Sequence, residues 1–519
     1  MALDYIILVL YALGMIGIAV YTRKRSGSVN DFLLAGKKGL NGWMSAFAYG
    51  TTYFSAVIFI GYAGNFGAQY GLASVWIGVG NAIIGSLFAW LVLAKRTKVM
   101  TSRLSAKTMP EFFEKRYNSR KLKFVSAVII FLFLIPYSAS VYNGLSALFG
   151  IVFRIPGWAI MLALAALTAL YLFFGGYFAT ALSDFIQGII MLVGVVAMVL
   201  CFMNYENIQW DLTLLMESSE LGWFTFSSTH TGLYGNTTSL ISLILLTSFG
   251  VWALPQTIHK YYAIRDDKAI VQGTVVSTLF ALIIGFGAYF TGALSAFFPE
   301  LSEVGSDNII PYMMKAVIPT GLIGLIAVLI LSASMSTLSS VSLASASVVA
   351  VDLYKGGVSP DASDKKVNLV MKLLCLGFIA VSVVLAILNE KFHLAAIAYL
   401  MGISWGTLAG CFIGPYVLGV LWKRVSRPAV WSSIIGSLVL TAVLIFVFGF
   451  DKNGWDCSFG TALQAGIGCS PLIGVICMAF SLIITTAVTL LTNPPKKETV
   501  ENAFGCAETP TTEQEGEEI

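Results

Sequence analysis

Charge is what this chain has least of. Only 11% of its 519 residues are Asp, Glu, Lys or Arg, while 57% are hydrophobic and the mean hydropathy is +0.83. A soluble domain carries about twice that charge, so the composition excludes a soluble globule and points to several membrane-spanning helices. Histidine is scarcer still, with His230, His259 and His393 near span ends or in loops. The seven cysteines make no metal or redox pattern. Cys201, Cys375, Cys411 and Cys477 lie in apolar runs as packing residues, and Cys506 is in a polar tail. Cys457 and Cys469 flank a glycine-rich loop and form a candidate pair if that loop faces an oxidising compartment. No metal cluster, nucleophile–base set or phosphate loop is visible in the sequence, which argues against an enzyme. The N-terminus lacks a basic n-region, and its first apolar run is long enough to span, so no cleavable signal peptide is expected. The net charge of +4 is mild, and nucleic acid is not expected as a partner.

Apolar segments predict an all-α polytopic membrane protein with about thirteen transmembrane helices. Their approximate centres are residues 4–21, 42–68, 72–94, 124–152, 157–174, 180–203, 235–256, 271–297, 318–351, 367–388, 393–421, 429–449 and 471–492. Residues 1–494 read as one transmembrane domain, and 495–519, rich in Pro, Thr and Glu, as a disordered tail. Lys and Arg set the orientation. Twenty-seven of the 31 fall in alternate loops, leaving Arg154, Lys315, Lys391 and Lys452 on the other face. This places the N-terminus outside and the C-terminus in the cytoplasm of a multi-pass cell-membrane protein.

Inside the apolar run 318–351, six hydroxyls occur in the nine residues Ser332 to Ser340. Ala333, Ser336, Thr337 and Ser340 share one helix face. Small hydroxyl residues serve as packing glue between membrane helices; the same face also suits a small hard cation held by oxygens. Two other spans are interrupted. Gly50-Thr51-Thr52-Tyr53-Phe54-Ser55 breaks the second, and Thr247 to Gln256, with Gly250 and Pro255, breaks the seventh. They lie five spans apart and start on opposite sides, the pattern of an inverted repeat with a central site. Asp184, eight residues after Gly176, is the clearest carboxylate in a span. A lone charge at the bilayer centre costs roughly 2.5–3.5 kcal/mol, so it needs a partner. No Lys or Arg is expected at its depth, and His259 and Lys260 read as topology markers at a span end. A bound cation, protonation, or a role as a neutral helix N-cap are the open alternatives for Asp184.

These residues resemble the sodium–solute symporters over nearly all of positions 1–450. The motifs are Gly175-Gly176 with Ser183-Asp184-Phe185-Ile186-Gln187-Gly188, Ser336 to Ser340 leading to Val351-Asp352-Leu353-Tyr354, and Phe412-Ile413-Gly414-Pro415 before Trp422-Lys423-Arg424. The resemblance implies a leucine-transporter-type inverted repeat (5+5) with extra helices, importing a small organic solute with Na⁺ by alternating access. It implies a first Na⁺ site at the carbonyls of Thr51, Phe54 and Ala333 with the hydroxyls of Ser336 and Thr337. A second site, present in some members, matches Asp184, Ser336, Ser339 and Ser340, so two Na⁺ per cycle are expected. Each ion supplies about 3.7 kcal/mol at roughly 100 mV and a tenfold gradient. One thus supports about 500-fold accumulation of a neutral solute, and two about 10⁵-fold.

The overall pattern is most similar to the proline, pantothenate and monocarboxylate branches. Substrate candidates are Thr52, Ser55, Tyr137, Asn143, Trp252 and Gln256, aromatics with a few polar groups that suit a small amphiphilic metabolite such as an amino acid or small carboxylate. Partners are this solute, sodium ions and the lipid bilayer, and a single chain suffices. A proton-coupled carrier using Asp184, and an ion channel or sensor on the same fold, are the alternatives.

Overall fold

A computed structural model describes residues 2–23, 28–34, 39–218, 221–224, 235–301, 303–392 and 394–505. Helices dominate them, and the one β-type pairing among them is a parallel bridge between Leu40 and Ile264. The principal helices are α1 (Ala2–Thr22), α2 (Gly42–Tyr53), α3 (Val57–Gly67), α4 (Arg120–Phe153), α5 (Gly157–Met203), α6 (Asn236–Gly250), α7 (Pro255–Tyr262) and α8 (Asp267–Ala293). They continue as α9 (Leu322–Ser347), α10 (Asp364–Phe392), α11 (Ile397–Ile413), α12 (Arg427–Asn453), α13 (Ser470–Leu491) and the short α14 (Lys497–Phe504).

By length and apolarity, ten helices among the described residues can cross a membrane, or eleven with the bent pair α6–α7. The sequence suggests about thirteen. The difference lies in two continuous stretches of 47 residues, Val57–Arg103 and Gly157–Met203. At 1.5 Å per residue each is about 70 Å long, more than twice the hydrocarbon thickness of a bilayer. Each turns at a positive-φ glycine, Gly71 (φ 54°) or Gly176 (φ 58°).

Gly176 shows why the turn is where it is. Its φ of 58° and ψ of −156° suit a residue without a Cβ. A Cβ there would also stand 2.7 Å from the Phe32 ring.

α9 is the axis of the molecule. Every residue from Ile326 to Ser347 is buried. It packs against α5, α4, α1, α10, α2 and α7. α1, by contrast, turns an apolar face outward, with Leu3, Ile6, Val9, Leu10 and Leu13 exposed, as expected of a helix lying against lipid.

Two features of the C-terminal part bear on the sequence reading. The segment from 495 is not simply tail: α14 forms and its Ala503 is buried. The Arg103 guanidinium donates to the Phe504 carbonyl, and Arg116 lies 5.0 Å over the Phe504 ring. An amphipathic turn with aromatic and small residues finds basic side chains to dock on, which composition alone does not reveal. Residues 506–519, like His230 and His393, lie outside the described residues. Cys457 and Cys469 are both free thiols rather than a bridge.

Gly176→Ala is expected to destabilise the protein by about 1–3 kcal/mol, through backbone strain and the clash with Phe32. Thermal melting in detergent checks this. Gly14→Ala, where nothing lies within 4 Å of an added Cβ, serves as the comparison and is expected to melt no lower than the parent.

Candidate functional site: hydroxyls between two broken helices

The break in the second predicted span follows from local chemistry. Thr51 and Thr52 turn their hydroxyls back onto the Phe47 and Ala48 carbonyls, at 2.8 and 2.7 Å. Such back-bonding competes with the helical ladder. The last helical bond runs from the Phe54 N–H to the Gly50 carbonyl. Phe54 is then extended (φ −103°, ψ 103°) before the chain winds again into α3. In the other broken span, Leu254 is extended (φ −79°, ψ 123°), as a residue before proline prefers. Pro255 opens α7 as its first residue, and the two halves meet at 45°. The Tyr53 hydroxyl donates to the Thr247 carbonyl at 2.7 Å, tying one broken span to the other.

α9 answers the carbonyls that the first break releases. Ser336 Oγ lies 3.0 Å from the Thr51 carbonyl and 3.1 Å from that of Ala333. Thr337 Oγ1 reaches the Thr51 and Thr52 carbonyls at 3.3 and 3.4 Å. A hydroxyl has one proton and two lone pairs, so both side chains also present acceptors to the same point. Thr51, Ala333, Ser336 and Thr337 are therefore brought together, all fully buried. Phe54, the fifth residue expected there, sits at the break itself. A neutral cage of carbonyls and hydroxyls suits a small monovalent cation.

Around Asp184 the structure corrects the sequence reading. A lysine does reach its depth. Lys260, in the last turn of α7, is 1% exposed. Its Nζ donates to Ser340 Oγ at 2.8 Å and pairs with Asp184 Oδ2 at 3.4 Å. It also lies 5.1 Å over the Tyr177 ring. Ser340 Oγ contacts Thr52 Oγ1 at 2.9 Å, while Ser339 donates to the Ser336 carbonyl at 2.9 Å. In sequence Lys260 reads as a topology marker because it is basic and follows a span. The overlooked signal is that it stands four residues after Gln256, on the same helix face.

The substrate candidates divide. The Tyr137 hydroxyl faces Ser55 and Thr337 with no partner at bonding distance, and its ring packs edge-on against Trp405 at 5.6 Å. Trp405 also stacks on Tyr53 at 6.0 Å, a contact absent from the sequence-based expectations. Trp252 Nε1 donates to the Ile84 carbonyl. Gln256 is buried beside Pro255 with Oε1 unpartnered. Thr52 is taken up by Ser340. Asn143 lies apart: it donates to the Ala386 carbonyl, accepts from Asn389, and lines a cleft of about 430 Å³ with Asp307 and Glu390.

Comparison with known proteins gives a consistent picture. The model of the family described as "Sodium:solute symporter family" matches residues 32–436. A sodium/proline symporter of Haemophilus influenzae is 28% identical over 517 residues, covering 96% of each chain. A sodium/pantothenate symporter of Escherichia coli K12 is 29% identical over 450 residues, covering 84% of this chain and 89% of that one. Among solved structures, an outward-open, Na⁺-coupled sialic acid symporter has a TM-score of 0.76 at 19% identity, covering 95% of this chain and 98% of the other. That likeness establishes the fold.

In the cleft, burial pushes the Asp307 carboxyl up to about 6, against the pull of the Ile397 N–H that it accepts at 3.1 Å. The native state thus holds this proton to higher pH than the unfolded chain. The resulting stability is full below about pH 4 and is lost as pH rises through about 6. Asp307→Asn is expected to flatten the fall in melting temperature across that window, as measured by a pH series of thermal melts.

Proposed function

The chain belongs to the sodium:solute symporter family, and on that premise we propose which residues hold the ion and what kind of solute it imports. It is a multi-pass membrane transporter, not an enzyme, built on the leucine-transporter-type fold, and it couples solute import to sodium. Our reading of the coupling site is one Na⁺ held by the carbonyls of Thr51, Phe54 and Ala333 and the hydroxyls of Ser336 and Thr337. The observation that carries it is the convergence of Ser336 and Thr337 on the Thr51 carbonyl at a helix break. Non-helical backbone at membrane depth is tolerated where it lines such a site.

For the solute we propose a small amphiphilic carboxylate of the proline or pantothenate type. Its support is twofold. Relatives named for proline and for pantothenate align over most of the chain. Beside the ion-site residues the Tyr137 and Trp405 rings pack together, and the Tyr137 hydroxyl, unpartnered, faces Ser55 and Thr337. Ion and solute then share Thr337, which touches the Thr51 carbonyl on one side and faces Tyr137 on the other. Binding one orders residues that the other uses, the physical basis of coupling. The orientation we favour, N-terminus outside and C-terminus cytoplasmic, rests on the distribution of Lys and Arg.

Ser336→Ala is expected to raise the sodium concentration for half-maximal uptake by about tenfold or more, the scale of one lost hydrogen-bond partner to a charge. Ser332→Ala and Ser334→Ala are expected to leave it within about twofold, because Ser334 bonds only to its own helix and Ser332 faces Tyr11 rather than the break. Equal effects from all three would defeat the assignment. In a thermal-shift screen of amino acids, carboxylates, vitamins and sugars, the solute should stabilise the purified protein with Na⁺ and much less with choline.

A further inference from the structure

We propose that Lys260 is a tethered cation that takes the place of a second sodium ion at Asp184, so that one Na⁺ accompanies each solute. This rests on the sodium-coupled reading above and replaces the expected two-ion cycle.

Four residues form the second set: Asp184, Ser336, Ser339 and Ser340. Each is already engaged. The Lys260 ammonium holds Asp184 Oδ2 and Ser340 Oγ. Ser336 faces the Thr51 carbonyl, and Ser339 donates to the Ser336 carbonyl. What remains free is Asp184 Oδ1. An ammonium is a compact +1 charge with three donors. It therefore supplies the same charge that a sodium ion would bring to this carboxylate. The arrangement is enclosed, with Asp184 and Ser339 wholly buried, Lys260 1% exposed and Ser340 4% exposed. A second free cation would have to share this enclosure with the ammonium, against like-charge repulsion in a medium of low dielectric constant.

A tethered charge differs from a free one in two ways. It cannot dissociate to the other side, so it adds nothing to the driving force, and the accumulation limit for a neutral solute falls from about 10⁵-fold to about 500-fold. It also binds helices together. Lys260 belongs to α7, half of a bent span, while Asp184 belongs to α5 and Ser340 to α9. The pair joins all three, and Ser340 passes the contact on to Thr52 beside the other break.

The test is equilibrium binding of radioactive Na⁺ to the purified full-length protein, without solute. Wild type should bind one ion per chain, Lys260→Met two, and Asp184→Asn one. Two ions in wild type, falling to one in Asp184→Asn, would overturn the proposal while leaving sodium coupling intact. So would a single ion in Lys260→Met. No saturable sodium binding in wild type would instead remove the coupling site itself. If Lys260→Met does not fold, the doubly neutral Lys260→Met/Asp184→Asn removes the unpaired charge, and the wild-type and Asp184→Asn counts decide. A second readout is the ratio of Na⁺ to solute flux in proteoliposomes, expected to be one in wild type.

Discussion

A carbonyl that leaves its helix inside hydrocarbon must be met by another group, and much of this protein is arranged around that requirement. Each unsatisfied backbone group there costs several kcal/mol, so a broken span persists only where neighbours supply the missing partners. The break after Tyr53 is answered by α9, whose hydroxyls stand at the Thr51 and Thr52 carbonyls. The break at Leu254 is steadied by Tyr53, which reaches the Thr247 carbonyl from the opposite span. The two irregular segments are thus bound to each other and to one central helix, α9. The oxygens that make the breaks tolerable are the ones that suit a cation.

The same logic governs charge. Asp184 is fully buried, and an isolated carboxylate in that position would be untenable. Its partner arrives from a helix whose direction is set by Pro255. Were the seventh span straight, its last turn would not carry Lys260 to the same place. Breaking a buried pair of this kind by removing one member commonly costs about 3–5 kcal/mol. The bend, the ion pair and the hydroxyl hub at Ser340 therefore form one structural unit rather than three independent features.

Much of this was legible in the sequence, for identifiable reasons. The hydroxyl face of α9 follows from helical periodicity, and the breaks follow from Gly, Pro and β-branched residues, all local signals. The assembly of Thr51, Ala333, Ser336 and Thr337 could be anticipated because the family resemblance supplied the long-range pairing that periodicity lacks. Lys260 is not legible as a partner for Asp184 because a basic residue after an apolar run reads as a topology signal whether it points to water or inward. Asn143 was grouped with Tyr137, although six residues along a helix carry a side chain to a different level and face. The helix after Leu491 is not legible in local composition because α14 is in contact with side chains far earlier in the chain, at Arg103 and Arg116.

That last docking has a meaning for how the molecule is made. Arg103 and Phe504 are separated by 401 positions. At about 5–20 residues per second, roughly 20–80 s of synthesis separate the two. Through that interval Arg103 and Arg116 lack this partner. Only after α14 emerges can Phe504 settle between Arg116 and Lys423. A contact between Arg103 and Phe504 thus joins parts of the chain made far apart in time, and any polypeptide released before Phe504 lacks it.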